Sequence, residues 1–115
     1  GHARDADMVI DELLAFDAAV AAGRDVAARH GCTLVLVTAD HETGGLGLLA
    51  GEPEGGRPHT GFLTRHHTAV DVPLFAGGPG SEAFAGLLDN TDIARRAARL
   101  LGLGPLPVTG AGEAD

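Results

Sequence analysis

The sequence predicts an α/β fold in which the chain builds one part of a larger, mostly parallel sheet flanked by helices, incomplete in this chain. Three observations predict it. Residues 4–30 space their apolar side chains with the period of a helix, residues 33–37 form an apolar run without polar alternation, and a second strand candidate and a closing helix follow a long polar loop. A run like 33–37 reads as a strand buried on both faces and needs neighbours on both sides, whereas the order helix, strand, loop, strand, helix supplies at most one or two.

The first helix is expected from about Arg4 to His30. Val9, Leu13, Phe16 and Val20 share one face, and Ile10, Leu14 and Ala21 widen it. Asp5, Asp7 and Asp11 crowd the start, where the helix dipole favours negative charge, while Arg29, His30 and Gly31 give a basic end and a C′ glycine. Gly23 marks a candidate break, and Cys32 is expected to pack as a small hydrophobe. Leu46–Ala50 is a short strand candidate. Gly51–Pro58, with two glutamates, two prolines and three glycines in eight residues, reads as an exposed loop. Val70–Ala76 alternates as a strand does, and Pro73 assigns it to an edge or a bulge. Gly77-Gly78-Pro79-Gly80 stops it, and Ser81 is the expected cap of a short turn to Phe84. Asn90 or Thr91 then caps a helix from Asp92 to about Leu101 that buries Ile93, Ala97 and Leu100. Residues 104–115 read as a frayed tail, leaving 1–103 as one domain.

Charge and cysteine usage exclude some functions. The 115 residues carry 8 basic and 16 acidic side chains, a net charge of −8, so the surface repels nucleic acid and anionic membranes. Hydrophobic residues are 44% of the chain but aromatics only 3%, which leaves Val, Leu and Ala to fill a core. The single Cys32 forms no internal disulfide. No run is long enough to span a bilayer and no signal peptide is evident, although a start at Gly1-His2 leads us to expect a missing upstream part.

Asp40 and His41 stand at the end of the apolar run, where ligands of parallel sheets sit. Zn²⁺ accepts both donor types, and Gly44-Gly45 lets the backbone turn close to a bound group. Neighbouring strand residues point to opposite faces, however, so an N-cap or a solvated turn remains an alternative for this pair. Of the other histidines, His30 is explained by its helix end and His59 by its polar loop. His66 or His67 can approach Asp40-His41 if the second strand runs beside the first, and His2 precedes the helix at the same edge. Three imidazoles and a carboxylate from distant positions could then converge, and such convergence is commoner in hydrolytic metal sites than on inert surfaces.

Ala39-Asp40-His41-Glu42-Thr43-Gly44-Gly45, His67-Thr68, Phe75-Ala76-Gly77-Gly78-Pro79-Gly80 and Asp89-Asn90-Thr91-Asp92-Ile93, in this order, resemble the C-terminal part of bacterial alkaline phosphatases. Gly1-His2-Ala3-Arg4-Asp5-Ala6 is similar to the segment that carries a zinc-binding histidine in that family. The resemblance spans residues 1–103 and implies an alkaline-phosphatase-like fold and a zinc-dependent hydrolysis of phosphate monoesters. It implies that Asp40 and His41 bind one zinc and that His2 and His67 bind the other, His67 being preferred to His59 by its distance from Gly78-Pro79. It further implies magnesium, with its ligands upstream, a homodimer in the complete enzyme, and a periplasmic or secreted location. The serine nucleophile, the phosphate-clamping arginine, the metal-bridging aspartate and the aspartate expected four residues before His2 are not in this chain. Its one serine, Ser81, sits in a different context, and Ala69 replaces a glycine usual after His-Thr. The isolated chain is therefore expected to be inactive. A non-catalytic zinc-binding or interaction module derived from that fold is the alternative.

Overall fold

The computed structural model describes residues 1–49 and 58–106, so most of the expected loop 51–58 and residues 107–115 of the expected tail lie outside the described residues. The first helix, α1, runs Ala6–His30. Its ends follow the local chemistry. The Asp5 carboxylate accepts from the Met8 N–H at 3.0 Å, and Gly31 adopts φ 69° while its N–H donates to Ala27 O at 2.9 Å. Gly23 does not break it. One glycine costs a helix interior only about 1 kcal/mol relative to alanine, and the surrounding alanines are the best helix formers.

Strand β1 (Val35–Val37) pairs antiparallel with β4 (Phe75–Gly77), placing Val35 opposite Gly77 and Val37 opposite Phe75. Strand β2 (Leu46–Leu48) pairs antiparallel with β3 (Thr60–Phe62), Leu46 facing Phe62. The mixture of helix and strand is as expected, but both pairings among the described residues are antiparallel. No parallel neighbour of β1 is found within them. Among the described residues β1 is half-buried and pairs with β4 alone, within the one or two neighbours expected from this chain. The strand expected at 70–76 forms ladder bonds only from Phe75 onward, and Thr38 Oγ1 ties the preceding stretch to the end of β1 by donating to Pro73 O at 3.0 Å. Gly78 makes the close crossing behind β4 possible. Its φ is 102°, and a Cβ there would lie 2.3 Å from Thr33 O.

A 3-10 turn, Ser81–Phe84, and helix α2 (Asn90–Leu100) complete the described chain. Gly80, not Ser81, is the N-cap of the turn, and no side chain caps it. Asp89, one residue before the expected caps, receives the Thr91 N–H at 2.9 Å and the Thr91 hydroxyl at 2.7 Å. Those two bonds hold the Asp89 carboxyl below the usual carboxylate range. Helix α2 packs on the turn through Arg96, whose guanidinium donates to Ala83 O, and through Leu100, against which Gly80 lies too close for a side chain.

Among the described residues the buried hydrophobic core is Phe84 and Ala98. The α1 face expected to be buried is not covered. Leu13 is 62% exposed and Phe16 50% exposed. They line a groove of about 980 Å³ together with Val20, Val35, Val37 and Phe75. The Cα radius of gyration, 18.2 Å, exceeds the roughly 13 Å of a compact 100-residue domain. No helix of the described residues is long and apolar enough to cross a membrane.

Candidate metal centre

Three segments distant in sequence bring imidazoles to one place. Nitrogen atoms of His2, His41 and His67 all lie within 4.8 Å of one another. His2 is held by the turn before α1, where Arg4 N donates to Gly1 O at 2.8 Å and Arg4 takes the left-handed φ of 54°. Gly1 packs on Thr43, and a Cβ at Gly1 would come 3.2 Å from Thr43 Cβ. His41 follows the end of β1, and His67 follows β3 in the returning loop. The Nε2 atoms of His2 and His67 are 3.1 Å apart, and the rings of His41 and His67 stack with centroids 3.5 Å apart.

Asp40 belongs to the same edge. Its carboxylate accepts from its neighbour's backbone, His41 N, at 3.0 Å, and its other oxygen lies 3.4 Å from His41 Nε2. Asp40's side chain is 86% exposed and that of His41 32% exposed, so solvent and small solutes reach the pair. On the opposite side of the ring, His41 Nδ1 is 3.1 Å from the carbonyl oxygen of Glu42. A carbonyl only accepts, and so does the Asp40 carboxylate at Nε2, so each ring nitrogen of His41 faces an acceptor, with the Thr43 hydroxyl also 3.3 Å from Nδ1. Converging imidazole nitrogens beside a carboxylate are donor types that a divalent cation of zinc type accepts.

The loops that carry these groups are fastened to each other. Gly44 N donates to His66 O at 3.0 Å, while Gly44 O accepts from Leu63 N at 2.9 Å and Thr64 N at 3.1 Å. Gly44 is buried with φ 84°, and a Cβ there would meet Phe62 Cδ1 at 2.7 Å, so both conformation and space demand glycine. Glu42 accepts from Gly45 N at 2.7 Å and from the Thr68 hydroxyl. The Thr68 hydroxyl holds the Glu42 carboxyl below the usual carboxylate range against partial desolvation, and the Gly45 N–H adds to the effect.

Each sequence-derived candidate is thereby located: His2, His41 and His67 come together and Asp40 touches His41. His30, His59 and His66 are exposed and stand outside the imidazole cluster. Sequence reasoning missed Glu42 and Thr68. The available signal was their position, each directly following a candidate histidine. A cleft of about 330 Å³ opens beside Asp40 and His41, walled in part by Val70, Val72, Leu88 and Ile93. The larger groove at α1 contains none of the candidate ligands.

Comparisons with known proteins set most of the chain beside phosphatases. The alkaline phosphatase family model matches residues 1–56. The chain is 38% identical over 119 aligned positions to streptomycin-6-phosphate phosphatase of Streptomyces griseus, covering 89% of this chain and 26% of that protein. It is 53% identical over 45 residues to alkaline phosphatase 3 of Bacillus subtilis, covering 39% of this chain and 10% of that protein. Among solved structures, alkaline phosphatase from the Antarctic bacterium TAB5 superposes with a TM-score of 0.82 at 37% identity, over 90% of this chain and 32% of that one. A variant of the TAB5 enzyme with magnesium bound in its M3 site matches equally well, at 36% identity over 90% of this chain and 33% of that one. The chain thus spans about a third or less of the length of these relatives.

Each of these relatives is a phosphatase by name. The chain is similar to part of the alkaline phosphatase family, whose model covers its first 56 residues.

Proposed function

We propose that the chain contributes the histidine-rich part of a zinc-dependent phosphomonoesterase centre, which hydrolyses phosphate monoesters to an alcohol and inorganic phosphate. The observation carrying this reading is the meeting of His2, His41 and His67, from three separate segments, within 4.8 Å. In the complete enzyme Asp40 and His41 would hold one zinc, and His2 and His67 the other. Bound zinc supplies Lewis-acid charge that stabilises phosphoryl oxygens. The chain's own residues then have defined tasks. His41 turns Nδ1 to Glu42 O and offers Nε2, Asp40 adds negative charge, and the neighbouring cleft receives the organic part of the ester. The serine nucleophile, the phosphate-binding arginine and the magnesium ligands would come from polypeptide beyond this third of the fold, where β1 would also join the larger parallel sheet.

Substrates on this reading are phosphate monoesters. The likeness to streptomycin-6-phosphate phosphatase makes an aminoglycoside phosphate the first narrower candidate. Homodimerisation, and export to the periplasm or medium, follow for the complete protein from the family reading. The chain alone is expected to turn over a generic aryl phosphate, with Zn²⁺ and Mg²⁺ supplied, far below the roughly 10 per second of ordinary enzymes. Turnover at that rate would contradict the assignment of the nucleophile to another part of the protein.

The closeness of the three imidazoles favours a second reading of the same cluster in the isolated chain. Three protein ligands are the normal complement of one catalytic zinc, and His2, His41 and His67 can close on a single ion. Titration calorimetry separates the two. Weak binding of two Zn²⁺ per chain supports the paired site, and one tighter ion supports the three-histidine site.

A further inference from the structure

We propose that Glu42 is a positioning residue, a two-ended latch that sets the His41 loop against the His67 loop. The proposal rests on the metal-site reading above for its consequence, but its geometry stands independently. One carboxylate oxygen takes the Gly45 N–H at 2.7 Å, within its own loop, and the other takes the Thr68 hydroxyl, 26 residues on. The latch therefore engages one residue after each of two candidate ligands, since Glu42 follows His41 and Thr68 follows His67. The histidine rings between which it reaches are stacked with centroids 3.5 Å apart and planes inclined by 23°.

The backbone bonds of Gly44 join the loops at His66, Leu63 and Thr64, before His67. At Thr68, directly after His67, the Glu42 carboxylate provides a cross-loop link, and the next one in the chain is Thr38 Oγ1 on Pro73 O. A carboxylate suits this task because its two oxygens accept from several donors at once, here the Thr68 hydroxyl foremost, with the Gly45, Thr68 and Leu46 N–H groups beside it. An alanine leaves Gly45 N and the Thr68 hydroxyl without this partner and lets the His67 segment swing on its Gly44 anchor. Groups that orient metal ligands without touching the ion commonly change metal affinity 10–100-fold, and the latch belongs to that order.

The test uses the 115-residue chain in two measurements. In the metal-free protein, the NMR cross-relaxation between the His41 and His67 rings should be present in the parent, lost in Glu42→Ala and Thr68→Val, and retained in Thr68→Ser, which keeps the hydroxyl. With Co²⁺ as the probe metal, followed by its visible spectrum, Glu42→Ala and Thr68→Val should each weaken binding roughly tenfold or more. The double substitution should be no worse than either single one, because both remove the same link. Thr68→Ser should stay within about threefold of the parent. Ring contact and Co²⁺ affinity unchanged in Glu42→Ala would overturn the latch, as would equal losses in Thr68→Ser and Thr68→Val. A parent chain that shows the ring contact, loses it in Glu42→Ala and binds no Co²⁺ would uphold the latch while defeating the metal reading. A parent without the ring contact would overturn the latch itself.

Discussion

The two halves of this chain satisfy their chemistry to different degrees. The loops around His41 and His67 are cross-tied by Gly44, Glu42 and Thr68, whereas the groove between α1 and the β1–β4 ribbon leaves Leu13, Phe16 and Phe75 at least half exposed. The first region is held by hydrogen bonds made inside it. The second has an apolar lining without apolar cover among the described residues. Directional bonds between loops preserve local geometry on their own, while hydrophobic stabilisation appears only when area is removed from water. This is why the chain can present a cross-tied imidazole cluster beside an open groove.

Substitutions that break or sharpen the contrast are ordered by expected effect. Phe84 is 4% exposed, and Phe84→Ala should cost about 3–5 kcal/mol, read from the denaturation midpoint, which in a chain with so small a core means loss of the folded state. Gly44→Ala should follow. The left-handed backbone alone costs roughly 1–2 kcal/mol, and the Cβ must displace Phe62, so metal affinity and stability should fall together. Phe75→Ala lies at the other extreme. With Phe75 64% exposed, its loss should change stability by less than about 0.5 kcal/mol, and a cost comparable to that of Phe84→Ala would show that the groove is closed in solution.

The smallest effect concerns pH. Asp89 has its folded pKa lowered from 3.8 by the Thr91 N–H and hydroxyl, so its contribution to α2 is present above pH 3.8 and is lost as pH falls through the lower folded value. The helical circular dichroism of the parent should decline in that acid range, and the difference between parent and Asp89→Ala should vanish there. A difference that persists unchanged at lower pH would mean that the carboxylate is not the cap.

Local signals in the sequence were readable where the chemistry is local. Both ends of α1 follow from Asp5 and Gly31, and the metal-type pair at the end of β1 follows from the apolar run before Asp40. The start of α2 was displaced because Asp89, Asn90 and Thr91 are all competent caps, and only the Thr91 N–H on Asp89 decides among them. Strand β3 was missed because Thr60-Gly61-Phe62 carries little strand signal of its own and exists by pairing with Leu46–Leu48. The apolar stripe of α1 was legible, but its cover was not. Periodicity states which face seeks burial and is silent on whether a partner lies in the same stretch of chain. Glu42 escaped notice for a related reason, since a glutamate after a histidine acquires meaning only when Thr68 is brought to it.

The most direct test of the account is zinc binding by the chain and by single histidine variants, measured by calorimetry with X-ray absorption of the bound ion. His41→Ala and His67→Ala should each lower affinity at least tenfold and reduce the number of imidazoles around zinc. His59→Ala and His30→Ala should leave both readouts as in the parent. Zinc binding that survives His67→Ala but is lost in His59→Ala would contradict the central claim that His2, His41 and His67 form the metal-binding edge of this fold.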